Sequence, residues 1–200
     1  MGLRFWNALA VVPALAGCGT ADQPNQAAAD RQARGNVARP AANAAAPAPA
    51  TAATGRQYVE LAGAGDLYEI ESARLAQQKA RRPEVREFAG MLLAEHRRST
   101  AALERAAARA QPPIRTGPAL NAEQQANLQA LAAARGATFD PVWLRQQVNA
   151  HEQALTLVTA YAASGEVEAL RQHAASVAGP IQRHLARARE LEVPAPRPKQ

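Results

Sequence analysis

Residues 83–111, PEVREFAGMLLAEHRRSTAALERAAARAQ, space Val85, Phe88, Ala89, Leu92, His96, Ser99 and Leu103 three or four positions apart. That period puts all of them on one face of a helix, with Arg and Glu on the other. Pro83 suits a first helical turn, and Pro112-Pro113 stops the helix. On the N-terminal side, Thr54-Gly-Arg-Gln57 has the form of a capping box. Tyr58, Leu61, Ala62, Gly65, Tyr68, Glu69, Ser72 and Ala76 then share a face. On the C-terminal side, Asn121 with Gln124 caps a short helix that ends at Gly136. Asp140-Pro141 opens a longer helix with Leu144, Val148, His151, Leu155, Val158 and Ala162 in phase. Ser164-Gly165 turns the chain into a last helix bearing Leu170, His173, Val177, Ile181, His184, Ala188 and Leu191. Pro180 inside it removes a backbone hydrogen bond and is expected to kink it. The reading is all-α: two helical hairpins joined by a long connection with a short extra helix, forming a four-helix bundle over residues 54–192.

Composition agrees with that reading. Hydrophobic residues make up 48% of the 200, yet aromatics only 4%, because Ala dominates. Small side chains favour close helix packing and argue against a β-sandwich or barrel. The net charge of +6 comes almost wholly from Arg, in singles and pairs interleaved with Glu84, Glu87, Glu95, Glu104 and Glu190. Such interleaving describes a salt-bridged helix surface, and no nucleic-acid partner is expected. A single cysteine excludes a disulfide framework and any multi-cysteine metal site. No Gly-rich loop follows a strand, so no nucleotide cofactor is expected. No Gly-x-Ser-x-Gly elbow surrounds a serine, and Glu69 and Glu71 point to different helix faces. An enzyme is therefore not the expected reading, and no catalytic residue is assigned.

The ends of the chain address location. Arg4 precedes an apolar run from Phe5 to Leu15, which is signal-peptide length and too short to span a bilayer. The run ends in Leu15-Ala16-Gly17-Cys18, which resembles the lipobox of bacterial lipoproteins. That resemblance implies cleavage after residue 17 and acylation of Cys18, with multiple acyl chains anchoring the protein to a membrane. Gly19 stands where an Asp would favour inner-membrane retention, so the expected location is the outer membrane, facing the periplasm. Residues 18–53 are Ala, Pro, Asn and Gln with scattered Arg, too poor in large side chains to offset ordering, and are expected to form a disordered tether. Residues 193–200 are expected to be a second frayed end.

Four side chains on the inner faces, one per long helix, are candidate metal ligands: Glu69, His96, His151 and His184. Inward carboxylates and imidazoles are how helical bundles hold metals. Measured from a turn near residue 82, Glu69 and His96 stand level within about 1.5 Å of axial rise. Measured from a turn at 164–165, His184 is roughly 9 Å out of level with His151. The di-iron pattern Glu-x-x-His is absent, since Leu93, Val148 and Ile181 precede the three histidines by three positions. The alternative is that these are core histidines satisfied by Ser99, Gln147, Tyr68 or neighbouring carboxylates. Trp143 and Phe139 read as a core plug.

Several motifs then resemble one family. Tyr58-Val-Glu-Leu-Ala62, Glu69-Ile-Glu-Ser-Ala-Arg-Leu-Ala76, Val85-Arg-Glu-Phe-Ala89 and His96 resemble its first half. Phe139-Asp140, His151 and Pro180-Ile-Gln-Arg-His184-Leu185 resemble its second. This is the ferritin-like bacterial envelope family classed as a domain of unknown function (family 4142) and often labelled an outer-membrane protein. The resemblance covers about residues 54–192 and implies a ferritin-like four-helix fold in the envelope, without an established activity. Tyr58 stands where Phe is usual, Arg82 where a small capping residue is usual, and Trp143 near a usual Tyr. Two functions follow. The first is a non-catalytic, lipid-anchored structural or interaction module with envelope partners. The alternative is a transition-metal-binding protein using the core His/Glu site.

Overall fold

The computed structural model describes residues 54–193. The leader, Cys18 and its tether, and the tail beyond Val193 lie outside the described residues. The elements are α1 (Gly55–Lys79), α2 (Pro83–Ala108), α3 (Ala122–Ala133), a 3₁₀ turn (Gly136–Thr138), α4 (Phe139–Ser164) and α5 (Glu168–Glu192). Helices α1 and α2 form one antiparallel hairpin and α4 and α5 the other; α1 packs on α4 and α2 on α5, giving the four-helix bundle. The short α3 lies against α1 and α4. None of the described helices is long and apolar enough to cross a membrane.

Local chemistry sets the boundaries. Both expected capping boxes form, with Thr54 accepting from the Gln57 N–H and Asn121 from the Gln124 N–H. Asp140 behaves differently from the expectation that it caps its own helix. It is buried, and its two oxygens accept the backbone N–H groups of Arg81 and Arg82 at 3.0 Å each. A carboxylate from the second hairpin thus satisfies the turn of the first, where Arg82 makes no side-chain cap of its own. Helix α2 ends at Ala108, before the proline pair, and α3 at Ala133. Gly136 has φ 53°, a left-handed conformation that glycine adopts without strain. Gly165 has no room for a side chain, because a Cβ there would lie 2.4 Å from the Tyr161 ring. Helix α5 runs on through Pro180 as one element.

The inner faces are largely those read from the sequence, with α4 rotated. Its buried positions are Phe139, Asp140, Trp143, Leu144, Gln147, His151, Leu157, Val158 and Tyr161, whereas Val148, Leu155 and Ala162 are only half-buried. The large aromatics drive this rotation, since burying Trp143 and Tyr161 removes more apolar surface than burying the smaller aliphatics. Two apolar clusters result. One gathers Val85, Phe88, Leu92, Leu131, Phe139, Trp143 and Leu144, with Phe88 and Trp143 packed edge to face at 5.7 Å. The other gathers Tyr58, Leu103, Leu157, Tyr161 and Leu170, with Tyr58 stacked on Tyr161 at 4.2 Å. Between them along all four long helices lies a polar belt containing Glu69, His96, His151 and His184.

Candidate metal centre

Three of the four expected ligands converge. One ligand atom from each of His96, His151 and His184 lies within 4.8 Å of the others, and all three residues are buried. Their ring centroids are 5.3–5.7 Å apart. The 9 Å offset expected for His184 is corrected by the length of the second turn. Helix α5 begins only at Glu168, which moves the centre of the turn to about residue 166. His184 then falls about three residues, or 4.5 Å, beyond the level of His151, a gap that side chains span.

Each imidazole has one nitrogen engaged and the other without a partner. His96 Nδ1 is 2.8 Å from Asp66 Oδ1, His151 Nδ1 is 2.8 Å from the Gln147 carbonyl, and His184 Nε2 is 2.8 Å from Glu95 Oε2. Carboxylate and carbonyl oxygens only accept, so the proton of each ring sits on the engaged nitrogen. The lone pairs therefore sit on His96 Nε2, His151 Nε2 and His184 Nδ1, and these three buried atoms have no hydrogen-bond partner. A metal-ligating histidine is held in the same way, by a carboxylate or carbonyl on its far nitrogen. The satisfied-core alternative accounts for only one nitrogen of each ring. Of the three non-carboxylate residues expected to satisfy the rings, Gln147 does so through its backbone, its side chain going to Ser72 instead. The Tyr68 hydroxyl donates to Gln146.

Glu69 does not join the three imidazoles. Its Oε1 is 3.9 Å from His151 Nδ1, the nitrogen that carries the proton, and neither of its oxygens has a hydrogen-bond partner. Burial pushes its carboxyl up to about 7, with His96 and the nearby Gln147 amide pulling the other way. Burial likewise pushes His151 down to about 3, helped by the other histidines, and lowers His184, so both stay neutral and able to donate a lone pair. At His96 burial acts downward too, but the hydrogen bond to Asp66 and the charges of Glu69, Asp66 and Glu95 outweigh it and raise the imidazole.

Asp66 and Glu95 were not among the sequence candidates. Asp66 is buried and also accepts a long hydrogen bond from Thr100 Oγ1 at 3.4 Å. Its signal was its place three residues before Glu69, which puts it on the same face one turn away. Glu95 adjoins His96 in sequence and sits between His184 and Arg98, whose guanidinium is 3.6 Å away. Nothing in the sequence alone separates it from the surface glutamates. The residues present fit a metal ion: three nitrogen donors are held in place by protein acceptors on their far sides, two of them on imidazoles that burial keeps neutral, and none has another hydrogen-bond partner.

An α-helical bundle with a buried, oriented histidine triad defines a class of protein with a core able to coordinate a metal ion. The chain belongs to the family described as "Domain of unknown function (DUF4142)", whose profile matches residues 40–191. Solved structures share the fold. CopM in the Cu(II)-bound form is 19% identical, with a TM-score of 0.57 over 70% of this chain and 95% of that one. CopM in the Cu(I)-bound form is 18% identical, with a TM-score of 0.57 over 68% of this chain and 94% of that one. The apo form is 20% identical, with a TM-score of 0.54 over 68% and 94%. No curated protein matches the chain closely.

Proposed function

We propose that the protein binds a transition-metal ion at His96, His151 and His184 and acts as a non-catalytic metal-binding protein of the cell envelope. One observation carries this reading: three imidazoles from three helices converge, each fixed by a protein acceptor and each presenting a buried, unused lone pair. Each of these desolvated, unpaired nitrogens costs about 1–3 kcal/mol, which a bound ion would offset. An all-nitrogen donor set suits copper, zinc, nickel and iron, with Cu(II) bound most strongly among the divalent ions. The copper- and silver-bound structures of the same fold make copper the first metal to test. When bound, the ion would supply Lewis acidity or, for copper, one-electron chemistry. The chain's own residues orient the rings, exclude bulk water and hold each ring proton away from the site.

Envelope location rests on the leader and the Leu15-Ala16-Gly17-Cys18 motif, which support anchoring through acylated Cys18 at the periplasmic face of the outer membrane. Globomycin sensitivity and palmitate labelling test this part, and an unlabelled wild type rejects it. For the metal, the full chain is isolated from periplasmic expression and titrated with Cu(II), Cu(I) and Zn(II), beside a His96→Ala, His151→Ala variant. The expected result is one equivalent bound tightly by wild type and a loss of at least a hundredfold in affinity in the variant. Equal binding by both would reject the triad as the site.

A further inference from the structure

The triad occupies one part of a cavity of about 500 Å³ inside the bundle. That is the size of a small-molecule site, about 300–1,000 Å³, whereas a water's share of liquid volume is about 30 Å³. A metal ion and its water therefore leave most of the space empty. Toward the Tyr58 cluster the wall is aliphatic, with Ala62, Leu157, Val158 and Ile181, and the first half of α3 contributes the amides of Gln124 and Asn127. Of the carboxylates around the histidines, Asp66 is engaged by His96 and Glu95 by His184 and Arg98, while Glu69 has no hydrogen-bond partner. Arg98 and Arg183 line the cavity beside these acids, so its wall carries both signs of charge and does not call for a charged occupant. The donor set is also incomplete, because a tetrahedral ion takes four ligands and, among the described residues, the cluster offers three.

Building on the metal reading above, we propose that the cavity binds a small uncharged nitrogen- or sulfur-donor molecule with an apolar body, which completes the coordination of the triad-held ion. Its donor atom faces the imidazoles and its body lies against the Ala62, Leu157 and Ile181 wall. The α3 amides orient its outer edge. The cavity sets the size of the ligand, and the aliphatic wall sets its polarity.

Imidazole is the probe. The full chain carrying one equivalent of Cu(II) is followed by visible absorption and electron paramagnetic resonance as imidazole is added, with dialysis verifying that the copper stays bound. The expected result is a saturable spectral change with one imidazole per copper. Ala62→Phe, which fills the cavity from α1, the long helix that supplies none of the three imidazoles, should keep one equivalent of copper and bind imidazole at least tenfold more weakly. Ala154→Leu fills it from α4 and provides a second test should Ala62→Phe fold poorly. Absence of copper binding by wild type would overturn the metal reading itself. Copper bound with an unchanged spectrum, copper stripped by the probe, or equal imidazole affinity in both filled variants and wild type would overturn this inference while leaving the metal reading standing.

Discussion

The apolar ends of the bundle and the polar belt between them are built from the same four helices under opposite rules. At the end around Trp143, the large side chains Val85, Phe88, Leu92, Phe139 and Leu144 fill the interior, and apart from the indole Nε1 the large buried groups are hydrocarbon. One or two turns along each helix, the belt buries three imidazoles and a carboxylate with five of their ring nitrogens and oxygens unpartnered. Close packing stabilises the ends, whereas the belt costs stability and gains from being filled. The two ends hold the helices rigidly enough for the belt to keep donors oriented around a space that no side chain closes.

The contrast is sharpest for Trp143→Ala, which should cost about 3–5 kcal/mol of folding stability in urea denaturation and leave metal stoichiometry unchanged in the fraction that folds. A small cost there would mean that the end is not the structural anchor.

Next is the pH response of the metal-free protein. Glu69 sits above its ordinary value of 4.5, at about 7, so its share of stability is complete below pH 4.5 and is lost as pH rises toward 7. His151 sits at about 3, below its ordinary 6.5, so its share is complete above pH 6.5 and is lost as pH falls toward 3. The two slopes oppose one another between pH 4.5 and 6.5. Glu69→Gln removes one of them, and its stability relative to wild type should rise by about 3 kcal/mol between pH 4.5 and about 7.5. A constant difference across that range would show that Glu69 ionises as it would in water.

Asp66→Asn keeps an acceptor for His96 Nδ1 but removes the charge, and metal affinity should fall by about 10–100-fold in competition titrations with the fold intact. An unchanged affinity would make Asp66 a packing residue. Glu95→Gln should have the smallest effect, less than about tenfold and further reduced by salt, because that carboxylate is 29% exposed and screened by solvent. A larger loss than for Asp66→Asn would reverse the ranking of the two supports.

Much of this contrast could be read from the chain before folding. Helical period, capping boxes and prolines gave the hairpins, since those signals act within a turn or two of sequence. The three histidines stood out because imidazoles on apolar faces are conspicuous. Asp66 did not, because a charge beside a half-buried face looks the same whether it meets water or His96. Glu69 reads as a ligand because it lies on the inner face of its helix and stands level with His96. Height along a helix does not report azimuth, and the carboxylate lies on the proton-bearing side of His151. The Asp140 bonds to the first turn join positions more than fifty residues apart, a distance at which sequence pattern carries no register.

The fastening of α3 bears on how long an ion stays. Only Leu131, near its C-terminal end, is buried, and there Lys79 donates to the carbonyls of Leu131 and Ala132. At its middle Gln146 reaches the Asn127 carbonyl at 3.2 Å, and in its first turn Asn149 reaches Glu123 at 3.4 Å. A swing of the helix about the Lys79 contacts would break the Gln146 and Asn149 bonds. The first-turn amides of α3 would exchange with solvent well before those of the four long helices. Residence time on this side of the cavity would then be set by how often that swing occurs, so that affinity and release could be tuned separately, one at the imidazoles and the other at two amide side chains.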